Sequence, residues 1–206
     1  MRARSPILAS ARRTRQHENL AVPDYYDAMG WLRSLFAGGR KSGSPSAALP
    51  PPAEAYLGLR KLVLGITAEK LGMSALPGGD DVVLGLLMEN VHPGAVVTLA
   101  GMADGTTSLY FSNGGGILGS GGHAPVAAAT RDWLESVEQF RATMTPTSEF
   151  PFPAAGRVRF YLVTSGGVRT ADADEKDLQG KRDPLWPLYF AAHGVITQVR
   201  RHAPQR

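Results

Sequence analysis

The sequence has no cysteine among its 206 residues. Disulfides, thiolate nucleophiles and Cys-based zinc or iron–sulfur sites are therefore excluded. Nothing asks for an oxidising compartment, so a cytoplasmic location is the expectation. Long apolar runs are missing as well. The longest, Val82–Met88 and Ala95–Ala103, fall far short of the roughly 20 residues that a spanning helix needs. Three catalytic or phosphate signatures are absent: G-x-x-x-x-G-K-[ST], H-E-x-x-H and G-x-S-x-G.

What is present is globular in composition, with 43% hydrophobic and 19% charged residues. Glycine (24) and proline (15) are plentiful, so turns and irregular loops must be too. The net charge of +4 is unevenly placed. Residues 1–52 carry eight Arg or Lys against three acids, whereas the remaining residues carry 14 basic and 15 acidic groups. A fold that reads phosphates carries its own basic patch. Residues 53–206 do not, and a solvated basic arm is the expectation rather than a nucleic-acid partner.

Within the arm, residues 1–16 hold five Arg and no acid. That composition suits a transit peptide or ordinary disordered sequence, and the second reading is preferred. Residues 23–37 predict a short amphipathic helix with Tyr25, Met29, Leu32 and Phe36 on one face. Pro23 suits its first turn and Gly38-Gly39 its end. This helix either docks on the domain or, with Arg33, Arg40 and Lys41, makes a weak peripheral membrane contact across 23–41. Met29 is also a candidate start of translation. Residues 38–52 read as a Gly/Ser/Pro linker.

From residue 53 a single α+β domain is expected. Tyr56, Leu59, Val63 and Ile66 predict a first helix, with Arg60, Lys61, Glu69 and Lys70 mostly off its stripe. Residues 82–89 suit a strand better than a buried helix, being short and bracketed by turns. Ala95–Ala103 and Thr106–Ser112 predict a hairpin closed by Asp104-Gly105. A two-residue loop there pairs Ala100 with Leu109 and Leu99 with Tyr110. One face then carries Ala100, Met102, Leu109 and Phe111. The other carries Val97, Leu99 and Tyr110, half apolar and in need of cover by an N-terminal segment or a second chain.

Val126, Trp133, Val137, Phe140 and Met144 predict the clearest helix, over 126–144. A Pro-rich crossing loop over 145–156 follows, anchored by Phe150 and Phe152. Arg157–Thr164 alternates as a strand, with Val158, Phe160 and Leu162 inward and Arg157, Arg159 and Tyr161 outward. Val168–Ala171 completes a second hairpin, 172–183 reads as a charged exposed loop, and a last helix spans about 185–201. The element order predicts a two-layer α+β fold: a mainly antiparallel sheet of about five strands, with helices packed on one face.

The most distinctive local feature is the segment from Ser112 to His123. Gly114, Gly116 and Gly119 satisfy G-x-G-x-x-G, but the strand before them belongs to a hairpin rather than a βαβ unit. Bent or bulged strand and close backbone packing are the preferred explanation. The functional alternative is a small-ligand or anion site built by Asn113, Gly114, Gly115, Gly116, Ser120, Gly121, Gly122 and His123 beside a helix start. His92, His123 and His193, with Glu89 or Asp104, lack metal-ligand spacing. No metal, cofactor or catalytic set is expected.

The stretch Leu87-Met88-Glu89, with Ala103 through Gly116, resembles a group of uncharacterised bacterial proteins over about residues 80–200. That resemblance implies no activity. At the level of fold the chain also resembles roadblock and profilin scaffolds, which pair through sheet or helix surfaces, although its helix order departs from the roadblock pattern. The resulting expectation is a non-catalytic interaction or scaffold domain. Its contact surface would be the Val97/Leu99/Tyr110 face or an adjacent helix, and its partner a second copy or another protein.

Overall fold

The computed structural model describes residues 30–32, 34, 49–73 and 81–203. The expected linker before Leu49, the candidate start at Met29 and most of the helix expected over 23–37 lie outside them. Four helices are used below: α1 (Glu54–Leu64), α2 (Ala124–Ser136), α3 (Glu175–Gln179) and α4 (Trp186–His202). The strands are β1 (Val83–His92), β2 (Ala95–Met102), β3 (Thr107–Phe111), β4 (Gly116–Ile117), β5 (Thr145–Thr147), β6 (Arg157–Thr164) and β7 (Gly167–Asp174). They form one antiparallel sheet of seven strands in the order β4-β3-β2-β1-β6-β7-β5.

The α+β class and the antiparallel sheet match the sequence expectation, but the count of about five strands is corrected. The two extra strands, β4 and β5, are short edge pieces in segments rich in Gly or Pro. They form because β3 and β7 offer unpaired backbone at the sheet margins. Residues 82–89 are indeed strand, and β1 lies at the sheet centre.

The two-layer arrangement with helices on one face is also corrected. Leu86, Met88, Val97, Leu99, Leu109, Phe111, Phe160 and Leu162 pack with α2 and α4 in one core. Leu84, Leu87, Val96, Ala100, Met102, Tyr110, Tyr161 and Val163 pack with Tyr56, Val63 and Leu64 of α1 in another. The sheet is covered on both sides. Leu32, in the helical turn at residues 30–32, is fully buried in the α2/α4 core, and Trp31 packs against it.

The β2–β3 hairpin differs from expectation by one residue. Its loop has three residues, Ala103-Asp104-Gly105: Gly105 N–H donates to Met102 O at 2.9 Å, and Met102 N–H donates to Thr106 O at 2.9 Å. Gly105 takes φ +88°, which closes a turn plus bulge that L residues resist. Asp104 Oδ1 accepts from Thr106 N–H at 2.8 Å. Leu99 therefore pairs with Leu109, and Ala100 with Ser108. A one-residue slip exchanges the faces of one strand relative to the other. The observed register gathers Val97, Leu99, Leu109 and Phe111 on the α2/α4 side and leaves Tyr110 on the α1 side. It also sets Gly101 directly beneath α2, where a Cβ would lie 2.7 Å from Thr130 Cγ2 and 3.3 Å from the Trp133 ring.

Two further expectations change. Tyr161 is buried on the α1 side, not outward, because Phe150 packs edge-on against it and its hydroxyl donates to Pro151 O at 2.6 Å. Residues 172–183 are not simply a loop. β7 continues to Asp174, whose side chain accepts from the amides of Lys176 and Asp177 and so caps α3.

α1 is held to the sheet by a buried charge pair. Arg60 Nε and Nη2 donate to Glu89 Oε1 and Oε2 at 2.7 and 2.9 Å, and Arg60 Nη1 donates to Phe150 O at 2.9 Å. Thr98, the cross-strand partner of Glu89, donates to Glu89 Oε1 at 3.2 Å and shares a 2.9 Å hydrogen bond with the Tyr56 hydroxyl. The guanidinium also lies 4.6 Å above the Phe152 ring centroid. Burial opposes the Arg60 charge, but its bonds to Glu89 outweigh that and raise its pKa. Sequence periodicity had placed Arg60 off the buried stripe. The sheet-facing Glu89, fully enclosed, is what draws it inward.

Removing one member should strand a buried charge. Arg60→Met or Glu89→Leu alone is expected to lower stability by about 3–5 kcal/mol, and the double variant should recover most of that loss. Urea denaturation of the three variants checks both values and their non-additivity.

Candidate functional site

The glycine-rich segment leaves β3, turns back as β4 and enters α2. Asn113 Oδ1 accepts from Gly115 N–H at 3.2 Å, and Gly114 N–H donates to Phe111 O at 2.9 Å, so the first bend closes on itself. Gly114 lies against Ala53, and Ala53 N–H donates to Ser112 O at 2.8 Å, which fixes the entry to α1. β4 then runs beside β3, with Tyr110 paired to Gly116. A turn of 3-10 helix at Ser120–Gly122 follows, and His123 precedes α2.

The geometry accounts for several of the glycines. A Cβ on Gly121 would overlap the Gly105 carbonyl oxygen and lie 3.1 Å from Thr107 N, so two backbone segments meet there without a side chain between them. Gly116 has the same role against Tyr110. Two of the amides that an anion would use are engaged. Gly122 N–H donates to Gly119 O at 3.3 Å and His123 N–H donates to Ser120 O at 3.1 Å. Pro125, in the first turn of α2, brings no N–H. The Ser120 side chain is 6% exposed, and its hydroxyl makes no hydrogen bond. His123 is therefore not placed as its base. The His123 ring instead stacks on His202 of α4, with centroids 5.0 Å apart.

The structure does not gather the three histidines into a metal set: His92 neighbours His193, whereas His123 lies beside His202. His92 and His193 are buried, whereas His123 is exposed. Among the described residues no group of three or more His, Asp or Glu is placed to hold a metal ion. His193 sits edge-on against Tyr189 with centroids 4.5 Å apart. Burial, helped by neighbouring His92, lowers its pKa to about 3.

A cleft of about 520 Å³ opens at the β5 margin beside the start of α4. Several of its polar groups are bonded within the protein. Thr147 Oγ1 donates to Glu149 O at 2.8 Å, Asp172 pairs with Arg157 and Arg159, and Asp183 Oδ1 accepts from Leu185 N–H at 2.8 Å.

The expected contact face is dispersed. Val97 and Leu99 are buried under α2 and α4, and Tyr110 is buried on the opposite side under α1. Burial and the nearby Glu89 raise the Tyr110 pKa, and its hydroxyl stays neutral without a hydrogen-bond partner. α1 with the Phe150/Phe152 loop covers the Tyr110 side.

Among the described residues, Leu49, Leu57, Leu62 and Leu118 are the large hydrophobics left exposed, and two of them share the outward side of α1. Leu57 is 43% and Leu62 58% exposed. At about 100° per residue they flank a ridge of Glu54, Gly58, Lys61 and Gly65. All four ridge residues are exposed. The stripe of Tyr56, Leu59, Val63 and Ile66 did not single out this surface, since Leu62 lies beside it and Leu57 off it. The signal was their position outside the Tyr56/Val63 stripe.

No family model matches this chain, and neither a curated protein nor a solved structure matches it. Among the described residues no helix is long and apolar enough to cross a membrane.

Two outcomes test this description. Gly121→Ala should destabilise the domain by more than the few tenths expected of a surface change, because the methyl meets backbone rather than a movable side chain. Thermal melts of the variant and of the exposed control Gly122→Ala check it. Since His193 binds its proton less readily when folded than when unfolded, stability should fall as pH drops below about 6.5. The slope should approach 1.4 kcal/mol per pH unit from this group until pH nears its folded value. Melts from pH 7 to pH 4 should show a shallower fall in His193→Gln.

Proposed function

We propose that this chain is a non-catalytic interaction domain that presents the outer side of α1 to a protein partner. The observation that carries this reading is the pair of exposed leucines on a helix whose other side is pinned by a bidentate ion pair. Scattered exposed leucines are ordinary on a monomer. Here two share one rigid helix with a ridge of Glu54, Gly58, Lys61 and Gly65 between them, and α1 is fixed before any partner arrives, so little ordering entropy opposes docking. Covering each leucine would contribute about 1–2 kcal/mol, from the usual value for apolar burial.

The rival reading places a small-ligand or anion site at Asn113–His123. Its support is the buried Ser120 hydroxyl alone, since the neighbouring Gly122 and His123 amides already have acceptors. The interaction reading rests on a larger accessible surface.

A photo-crosslinking residue placed at Leu62 in the full chain, expressed in cells, should give a discrete adduct above the monomer mass. The same residue at exposed Glu138, outside this surface, should give none. Crosslinking only within the monomer, or the same diffuse products from both positions, would overturn the interaction reading.

A further inference from the structure

The outward side of α1 is self-complementary, and we infer that its partner is a second copy of this chain, bound through antiparallel pairing of the two α1 helices. The inference rests on the interaction reading above and commits it to one partner.

Glu54 lies in the first turn of α1 and Lys61 in the last, both exposed. Between them the ridge carries Gly58, with open space where its Cβ would be. Place a two-fold axis between Leu57 and Gly58, perpendicular to the helix. Glu54 then falls opposite the second copy's Lys61, and Lys61 opposite the second copy's Glu54. The same operation sets Gly58 against Gly58, so the backbones can approach closely, and Leu57 against Leu57 beside them. A parallel arrangement instead sets Glu54 against Glu54 and Lys61 against Lys61. The sequence of the helix thus favours one orientation and opposes the other.

The helix also bounds the strength of the contact. Eleven residues extend about 16 Å. That is too short to cover the roughly 800 Å² per partner of a standard interface, so the dimer is a weak one. Its two ion pairs are exposed, and the association weakens as salt rises. Leu62 lies at the flank of the contact, where it covers the chain entering the second copy's α1.

Sedimentation equilibrium of the full chain at low salt tests the inference, using Glu54→Lys and Lys61→Glu alone and mixed. Both positions are exposed, and circular dichroism with a thermal melt confirms that the variants fold. Wild type should show reversible self-association near about 0.1 mM, the range expected of a contact this small. Each single variant brings like charges together at both pairs and should weaken that association about tenfold or more. An equimolar mixture of the two restores opposite charges at both pairs and should associate at least as well as wild type. A monomeric wild type at about 1 mM, or a mixture no better than the single variants, would overturn the inference. The Leu62 crosslink separates the two levels. An adduct at twice the chain mass agrees with the second copy, whereas an adduct at any other mass refutes it and leaves the interaction reading standing.

Discussion

Glu89 sits at the centre of the sheet, in the middle of its central strand, with no exposure to solvent. A carboxylate there is tolerated only if a cation and hydrogen-bond donors reach it. Arg60 and Thr98 do so, and Arg60 can do so only with α1 lying across that face of the sheet. The pair therefore sets more than its own energy. It fixes the rotation of α1, and with it which residues of that helix meet the sheet and which meet solvent. Phe150 and Phe152 are drawn into the same arrangement, one through its carbonyl and the other through its ring. The Pro-rich loop and α1 thus close the face together.

With α1 locked in this way, the sheet has no free face. α2 and α4 cover one side, and α1 with the Phe150/Phe152 loop covers the other. Any protein contact has to use an edge or the outside of a helix. The β5 margin carries a cleft several of whose polar groups already have partners within the protein. The outside of α1 carries two exposed leucines around a ridge with an acid at one end and a base at the other. The charge buried beneath the helix thus orients the surface above it.

The glycine-rich segment belongs to the same argument. Gly121 allows the entry to α2 to touch the β2–β3 turn, and Gly114 lies against the residue that begins α1. Glycine there brings together segments distant in sequence, and the resulting amide bonds are internal. A loop with the appearance of a phosphate cradle is, in this fold, a junction between the two helical layers.

Much of the local structure was legible in the residues. The stripes from Val126 to Met144 and from Leu185 to Val199 are buried, although the helix expected over 126–144 is α-helical only to Ser136 and tightens to 3-10 helix over Val137–Thr143, and Phe150 and Phe152 anchor their loop. Val158, Phe160 and Leu162 alternate inward as the pattern demands. Periodicity reveals this much because helices and strands repeat over a few residues, so each stripe is a local property. The β2–β3 register was not legible in that way. A two-residue and a three-residue loop both fit Asp104-Gly105, and the choice depends on how Gly101 and Leu99 pack beneath α2. Nor was Arg60, whose polar character hid its inward direction until Glu89, 29 positions away, supplied the reason. The sequence by itself determined which segments form helices and strands and which of their sides avoid water. Only the tertiary structure decided what each side meets, because the partners are far apart along the chain and a buried charge or a one-residue slip can redirect a whole face.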